Sequence, residues 1–243
     1  RSAKAFRGAK RRGPLTGVRK KIVVAAFHKI DEYSGGTAEG RKDGVLTIDD
    51  IKGVSPVTQH FALAVGQKGS AGVMVRGIEP TAAKSALNLG DWMLKGDLGV
   101  LGAPSTSGFE HVIVGKQLAL NLGVVVGDSV TVLVSRDQAA DDLFAGADEA
   151  PGEFTVVVGG IFEAGFGEFD SKVLYLRLDV AQSVFGMGAA INALEIRVKD
   201  PLVTDTVITQ IESRLSDRKS SFQILDWRQM NRNIFSSNSI MTI

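Results

Sequence analysis

The sequence predicts a mixed sheet protein of the α+β class, and three observations carry that prediction. Strand-like segments outnumber helical ones, and the helical ones are short and scattered between strands. Neither G-x-G-x-x-G nor the P-loop spacing follows any strand, so no glycine loop cradles a pyrophosphate and a doubly wound nucleotide fold is disfavoured. The 243 residues can bury a core as one large domain or two small lobes. With 44% hydrophobic and 23% charged residues, the composition is that of a folded chain.

Taken in order, KIVVAAF (21–27) predicts a strand, and GVLTIDDIKGV (44–54) a short strand or loop followed by a helical turn. FALAVGQ (61–67) and GVMVRGI (72–78) predict two more strands. In the second, Val73 and Val75 alternate with Met74 and Arg76, the period of a half-buried strand. EPTAAKSALNLGDW (79–92) predicts a loop and short helix, with a strand near Met93, and the interval from Gly96 to Gly108 predicts loop. HVIVGKQLALNLGVVVGDSVTVLVS (111–135) predicts a strand, a helix from about Lys116 to Leu122 stopped by Gly123, a turn at Gly127 and Asp128, and another strand. FTVVVGGIF (154–162), KVLYLRL (172–178) and NALEIRVKD (192–200) follow as strands. DVAQSVFG (179–186) between them predicts a short helix capped by Asp179. PLVTDTVITQIESRL (201–215) predicts a helix opened by Pro201, with Val203, Val207, Ile211 and Leu215 as its core stripe. FQILDW (222–227) predicts a strand, and the residues after it the start of a helix.

The absence of cysteine excludes disulfides, thiolate nucleophiles and cysteine metal sites. His28, His60 and His111 are widely spread and form no H-E-x-x-H, G-x-S-x-G does not occur, and Ser105, Ser107 and Ser135 read as loop residues. Trp92 and Trp227 read as core or helix-face residues. No RNA-binding sheet motif or zinc finger is present, so no nucleic-acid partner is assigned. No apolar run of about 18 residues spans a membrane. The first 21 residues carry nine Lys or Arg and no acid. Such a flank suits phosphates on nucleic acid or lipid headgroups, or is a disordered segment foreign to the native protein; it lacks the apolar stretch of a secretory signal.

Two acidic segments need an account. GIFEAGFGEFDSKVLYL (160–176) sets Glu163, Glu168 and Asp170 among Gly165, Gly167 and aromatics. Paired carboxylates can divide acid and base work when one is buried and the other ionised, but no histidine or second acid pair lies nearby to mark a reaction class. Calcium-loop spacing is absent. The segment is expected to be a structural turn between two strands, its acids accepting backbone or Arg hydrogen bonds, with no catalytic residue, metal or cofactor. The competing enzyme reading, a carboxylate-dependent hydrolase, requires these acids to line a closed pocket. The second segment, Arg136 to Glu153, holds six acids against one Arg. Leu143 and Phe144 are its only large apolar residues and Pro151 its sole proline. Mutual repulsion favours a solvated excursion, either a recognition loop or a tolerated insertion.

Five blocks, in this order, carry a family resemblance: GVMVRGIEP (72–80), VIVGKQLALNLGVVVGDSVTVLV (112–134), FTVVVGGIFEAGFGEFDSKVLYLRLDVAQSVFGMG (154–188), NALEIRVKDP (192–201) and DWRQMNRNIF (226–235). Together they resemble the extracytoplasmic domain of the lipoprotein-releasing ABC transporter permeases, the LolC/LolE family, over roughly residues 44–235. The resemblance implies a MacB-like periplasmic core: a mixed α/β lobe, about 22–100 with 175–235, and a β-rich inserted lobe, about 101–174. A basic flank (1–21) would precede this core domain (22–235), and a C-terminal flank (236–243) would lead toward a membrane helix. It also implies a non-enzymatic domain in the periplasm, carried by the inner membrane through transmembrane helices. Implied partners are a second permease subunit, cytoplasmic ATPase subunits, a LolA-like periplasmic carrier and lipoprotein cargo. In the LolC-like member a hook occupies the place of Arg136 to Glu153, which makes Arg136, Leu143, Phe144 and Pro151 the candidate partner contacts. The acidic character of this segment departs from the apolar and basic hooks of that type. The alternative within the same resemblance is a MacB-type permease that transmits ATP-driven motion for export or cell-wall signalling.

Overall fold

The computed structural model describes residues 21–30, 48–87, 89–103, 108–134, 152–214 and 222–226. Most of the basic flank, the excursion over 135–151 and everything from residue 227 onward lie outside the described residues. The strands are β1 Lys21–Ile30, β2 Ile51–Val65, β3 Ser70–Ile78, β4 Met93–Lys95, β5 Glu110–Gly115, β6 Ser129–Val134, β7 Gly152–Phe162, β8 Val173–Arg177, β9 Ile191–Val198 and β10 Phe222–Asp226. The helices are α1 Pro80–Ala86, α2 Leu89–Trp92, α3 Lys116–Leu122, α4 Gly167–Lys172, α5 Leu178–Val184 and α6 Thr204–Arg214, with 3-10 turns at Leu98–Gly102 and Pro201–Val203.

The strands form one mixed sheet in the order β10-β1-β9-β2-β3-β8-β5-β7-β4. β6 lies off this path and pairs both β7 and the far end of β2. Its two ladders close a six-stranded ring, β2-β3-β8-β5-β7-β6. The ring strands turn alternate residues inward, most of them small or β-branched: Val73 and Val75, Val112 and Val114, Val130 and Val132, Val156 and Val158 are all buried, and β8 adds Leu174 and Leu176. Leu118 and Leu122 of α3 and Ala181 of α5 complete this core.

The other part is an open wing. β9, β1 and β10 extend from the first half of β2, and α6 covers one face through Val207 and Ile211, which meet Val54, Leu194, Ile196 and Val198. Each such fully buried aliphatic contributes about 1.5–3 kcal/mol. On the opposite sheet face, α1, α2 and the turn at Leu98–Gly102 place Ala83, Leu87, Leu89, Leu98 and Leu101 over Val57, Ile78, Val173, Tyr175 and Ala193. Among the described residues, no helix is long and apolar enough to cross a membrane.

Several local expectations are corrected. Residues 48–50 form a turn, and Ile51 to Val54 open the long strand β2 instead of continuing a helical turn. Gly53 and Pro56 disguised that strand, since both are disfavoured in strand interiors. Asp179 does not cap α5; Arg177 is the N-cap residue, and Asp179 lies in the first turn. Pro201 opens a 3-10 turn, and α6 begins at Thr204. The stretch before β8 contains the short helix α4 where a plain turn was expected. Arg76, expected on a half-exposed strand, is 3% exposed because helices cover that face too.

Candidate functional site

The turn between β7 and β8 is built around Asp170. Its carboxylate accepts the backbone N–H of Ala164 on Oδ1 (2.8 Å) and of Gly165 on Oδ2 (3.0 Å), so both oxygens are spent on the chain that leaves β7. Gly165 takes φ +85°, a left-handed conformation that glycine adopts without a Cβ penalty. The next turn of chain, opened by Gly167, is α4, and its Phe169 packs edge-on against Phe162, Tyr175 and Trp92 at 5.7, 6.5 and 6.2 Å between centroids. A Cβ at Gly115 would run into the Asp170 carbonyl, which fixes how closely β5 and α4 approach.

The other two acids face elsewhere. Glu163 accepts from Lys116 Nζ at 2.8 Å, with the pair half-exposed, and Glu168 accepts from Lys172 Nζ at 3.3 Å on the outside of α4. The structure thus engages the three carboxylates separately: one buried on backbone donors, two on surface lysines. Among the described residues there is no group of three His, Cys, Asp or Glu placed to hold a metal ion. His60 stacks on Phe185 at 3.9 Å, and its Nε2 lies 2.9 Å from Met187 Sδ.

The principal polar feature was missed in the sequence. Arg76 on β3 and Glu195 on β9 form an ion pair with side chains 4% and 2% exposed. Arg76 also donates from a terminal guanidinium nitrogen to the Tyr175 hydroxyl (3.4 Å), and its Cζ sits 5.5 Å from the centre of the Tyr175 ring. Burial pushes the Tyr175 phenol up to about 12, with Arg76 partly opposing the shift. Arg76 is desolvated, yet the charge of Glu195 raises its pKa above the ordinary arginine value. The available signal was one charge of each sign inside two otherwise apolar strands; alternation set Arg76 on the face opposite Val73 and Val75, and Glu195 was given no role.

At the surface, Arg177 donates from Nε to Asp179 at 2.5 Å and approaches Glu110 at 3.6 Å. Partial desolvation opposes ionisation of Asp179, but the Arg177 hydrogen bond and charge outweigh it and hold this carboxyl below the usual range.

Arg136, Leu143, Phe144 and Pro151 lie outside the described residues, but the strands that carry their segment do not. Val134 at the end of β6 is in register with Gly152 at the start of β7, so the excursion springs from a closed ladder. Beside it, Leu63 of β2 is in register with Leu133 of β6. Phe61 and Leu63 face outward, 66% and 41% exposed. Far along the sheet, Ile22 of β1 is in register with Asp226 of β10. The first residues of β1 and the last of β10 therefore lie side by side. In register, that point is level with Val54, nine residues along β2 from Leu63, or about 30 Å at strand spacing.

No family model matches the chain. In sequence it is 27% identical over 223 residues to the lipoprotein-releasing system transmembrane protein LolC of Xylella fastidiosa strain 9a5c, an alignment covering 90% of this chain and 51% of that protein. It is 24% identical over 225 residues to the same-named protein of Neisseria meningitidis serogroup B, again covering 90% and 51%. The chain thus spans about half the length of the curated relatives it matches. In structure it is similar to the periplasmic region of MacB from Actinobacillus actinomycetemcomitans, with a TM-score of 0.55, 13% identity, and coverage of 91% of this chain and 97% of that one. It is also similar to the extracellular domain of the noncanonic ABC-type transporter YknZ from Gram-positive bacteria, with a TM-score of 0.51, 17% identity, and coverage of 85% and 100%. The architecture is a mixed α/β fold with a β-rich part, resembling the MacB-like periplasmic core.

Proposed function

We propose that this chain is the periplasmic domain of an inner-membrane ABC transporter permease that takes part in releasing lipoproteins and passing them to a periplasmic carrier. The observation that carries the reading is the likeness in sequence, along most of the chain, to proteins named for lipoprotein release. The side-by-side placing of Ile22 and Asp226 supports it, since a domain borne between two membrane helices needs both strand ends at one place. In this reading the domain performs no catalysis; ATP is hydrolysed by cytoplasmic subunits, and a second permease completes the complex. Glu163, Glu168 and Asp170 suit that role, because Asp170 holds its own turn and the two glutamates pair with surface lysines.

The contact with the carrier or cargo is assigned to Arg136, Leu143, Phe144 and Pro151, in the segment between β6 and β7. The division into two lobes, about 22–100 with 175–235 and about 101–174, belongs to the same proposal. A Leu143→Ala, Phe144→Ala double substitution in the full-length permease is expected to weaken carrier binding and slow lipoprotein release, with thermal stability unchanged because no core cavity is made. Unchanged binding and release would remove the segment from the mechanism. The structural likeness to MacB and YknZ favours a second reading, a permease that transmits ATP-driven motion for export or cell-wall signalling. Neighbouring genes discriminate: a carrier gene and a second similar permease favour release, whereas a periplasmic adaptor or cell-wall hydrolase favours the alternative.

A further inference from the structure

The wing and the ring share one strand, and the shared stretch is narrow. β2 gives residues 51–57 to β9 on one edge and residues 57–65 to β3 on the other, so the two ladders overlap only at Val57. Beyond Val57, the edge facing β9 meets no strand until β6 arrives at Leu63. Over that gap β2 is bonded on one edge alone, so no ladder bond ties the wing to the ring there and the angle between them depends on the side chains that cross.

An apolar cluster crosses from wing to ring, in which Ala83 and Leu87 of α1 join Ala193 of β9 to Val57, Ile78 and Tyr175, and two polar sets of side chains cross as well. Asn192 of β9 donates from Nδ2 to the Gln59 carbonyl at 2.9 Å and accepts the Gln59 N–H at 2.8 Å, supplying the ladder bonds that Gln59 lacks on that edge. Glu195 is in register with Ser55, and Arg76 is in register with Gln59 from the opposite edge. Their ion pair therefore runs diagonally across β2 over Val57. Tyr175, in register with Arg76 on the next strand of the ring, backs the guanidinium from the far side. Burying two charges brings a desolvation cost that their attraction only offsets, so an apolar pair of similar volume would serve stability as well. What the charged pair adds is a defined direction and separation.

We propose that Arg76 and Glu195, reinforced by Asn192 on Gln59, form a clamp that fixes the angle between the wing and the ring. A displacement delivered at β1 and β10 then reaches the ring undiminished. That use of the clamp rests on the permease reading; the clamp itself does not.

The test uses this cysteine-free chain carrying spin labels at Gln223→Cys on β10 and Ser129→Cys on β6, both exposed positions. The interspin distance distribution is measured by pulsed electron paramagnetic resonance, with urea unfolding in parallel. Glu195→Gln is expected to broaden the distribution about twofold, as for a freed hinge. The double variant Arg76→Met, Glu195→Leu is expected to unfold at or above the parent urea midpoint and still show the broad distribution. If Glu195→Gln does not fold, the double variant decides. A distribution in the double variant as narrow as the parent's overturns the proposal. So does its failure to fold, since the pair would then be needed for folding and not for an angle. Either outcome leaves lipoprotein release untouched as a separate question.

Discussion

Asp170 and Glu195 are both buried carboxylates, held in different ways: one by two backbone N–H groups of its own turn, the other by an arginine two strands away. The first was legible as a turn acid because its partners lie within a few residues. The second was not, because its partner is 119 residues distant and only the sheet order brings them together. Tyr175 reports on the second environment. Its phenol is pushed up to about 12, above the ordinary value of 10.0. The neutral phenol is thus favoured in the fold, and its contribution to stability is complete below pH 10, falls as pH rises and is lost above about pH 12. In a Tyr33→Phe background, ultraviolet titration of the remaining phenol is expected to show a midpoint near 12. A midpoint at the ordinary tyrosine value would contradict the buried placement.

Among the elements, those with strong periodicity or a firm stop were legible. α3 runs from Lys116 to Leu122 and ends at Gly123 in the left-handed conformation (φ 69°, ψ 38°), a position that favours glycine. β3, β5, β6 and β7 followed their alternating or apolar runs. β2 was half hidden, since Pro56 has no N–H to give a ladder and still sits within it. α4 was missed because a helix of six residues is too short to show a period. It persists by virtue of Asp170 and the aromatic contacts of Phe169. Asp170→Ala is expected to cost about 3 kcal/mol in urea unfolding, because it removes two hydrogen bonds to a charged acceptor. Glu168→Gln, on the exposed side of the same helix, is expected to stay within about 0.5 kcal/mol. Equal and small losses in both would show that α4 is held by its aromatic contacts alone.

For the whole molecule, composition and short interspersed helices were enough to place the chain in the mixed sheet class, but not to reveal the ring. Closure depends on β6 bridging β7 and the end of β2, and Leu63 and Leu133 carry no mark in the sequence that they are partners. The same pairing separates two ends of the molecule. Ile22 and Asp226 pair at one of them, and Val134 and Gly152 pair well along the sheet. In the proposed permease, that separation sets the strand ends nearest the membrane apart from the strand ends that carry the acidic segment. The most direct test of that account reconstitutes the full-length permease with its partner subunits in lipoprotein-loaded proteoliposomes, and measures lipoprotein transferred to a soluble carrier when ATP is added. Release dependent on both ATP and carrier is predicted; ATP hydrolysis with no lipoprotein leaving the membrane would contradict it.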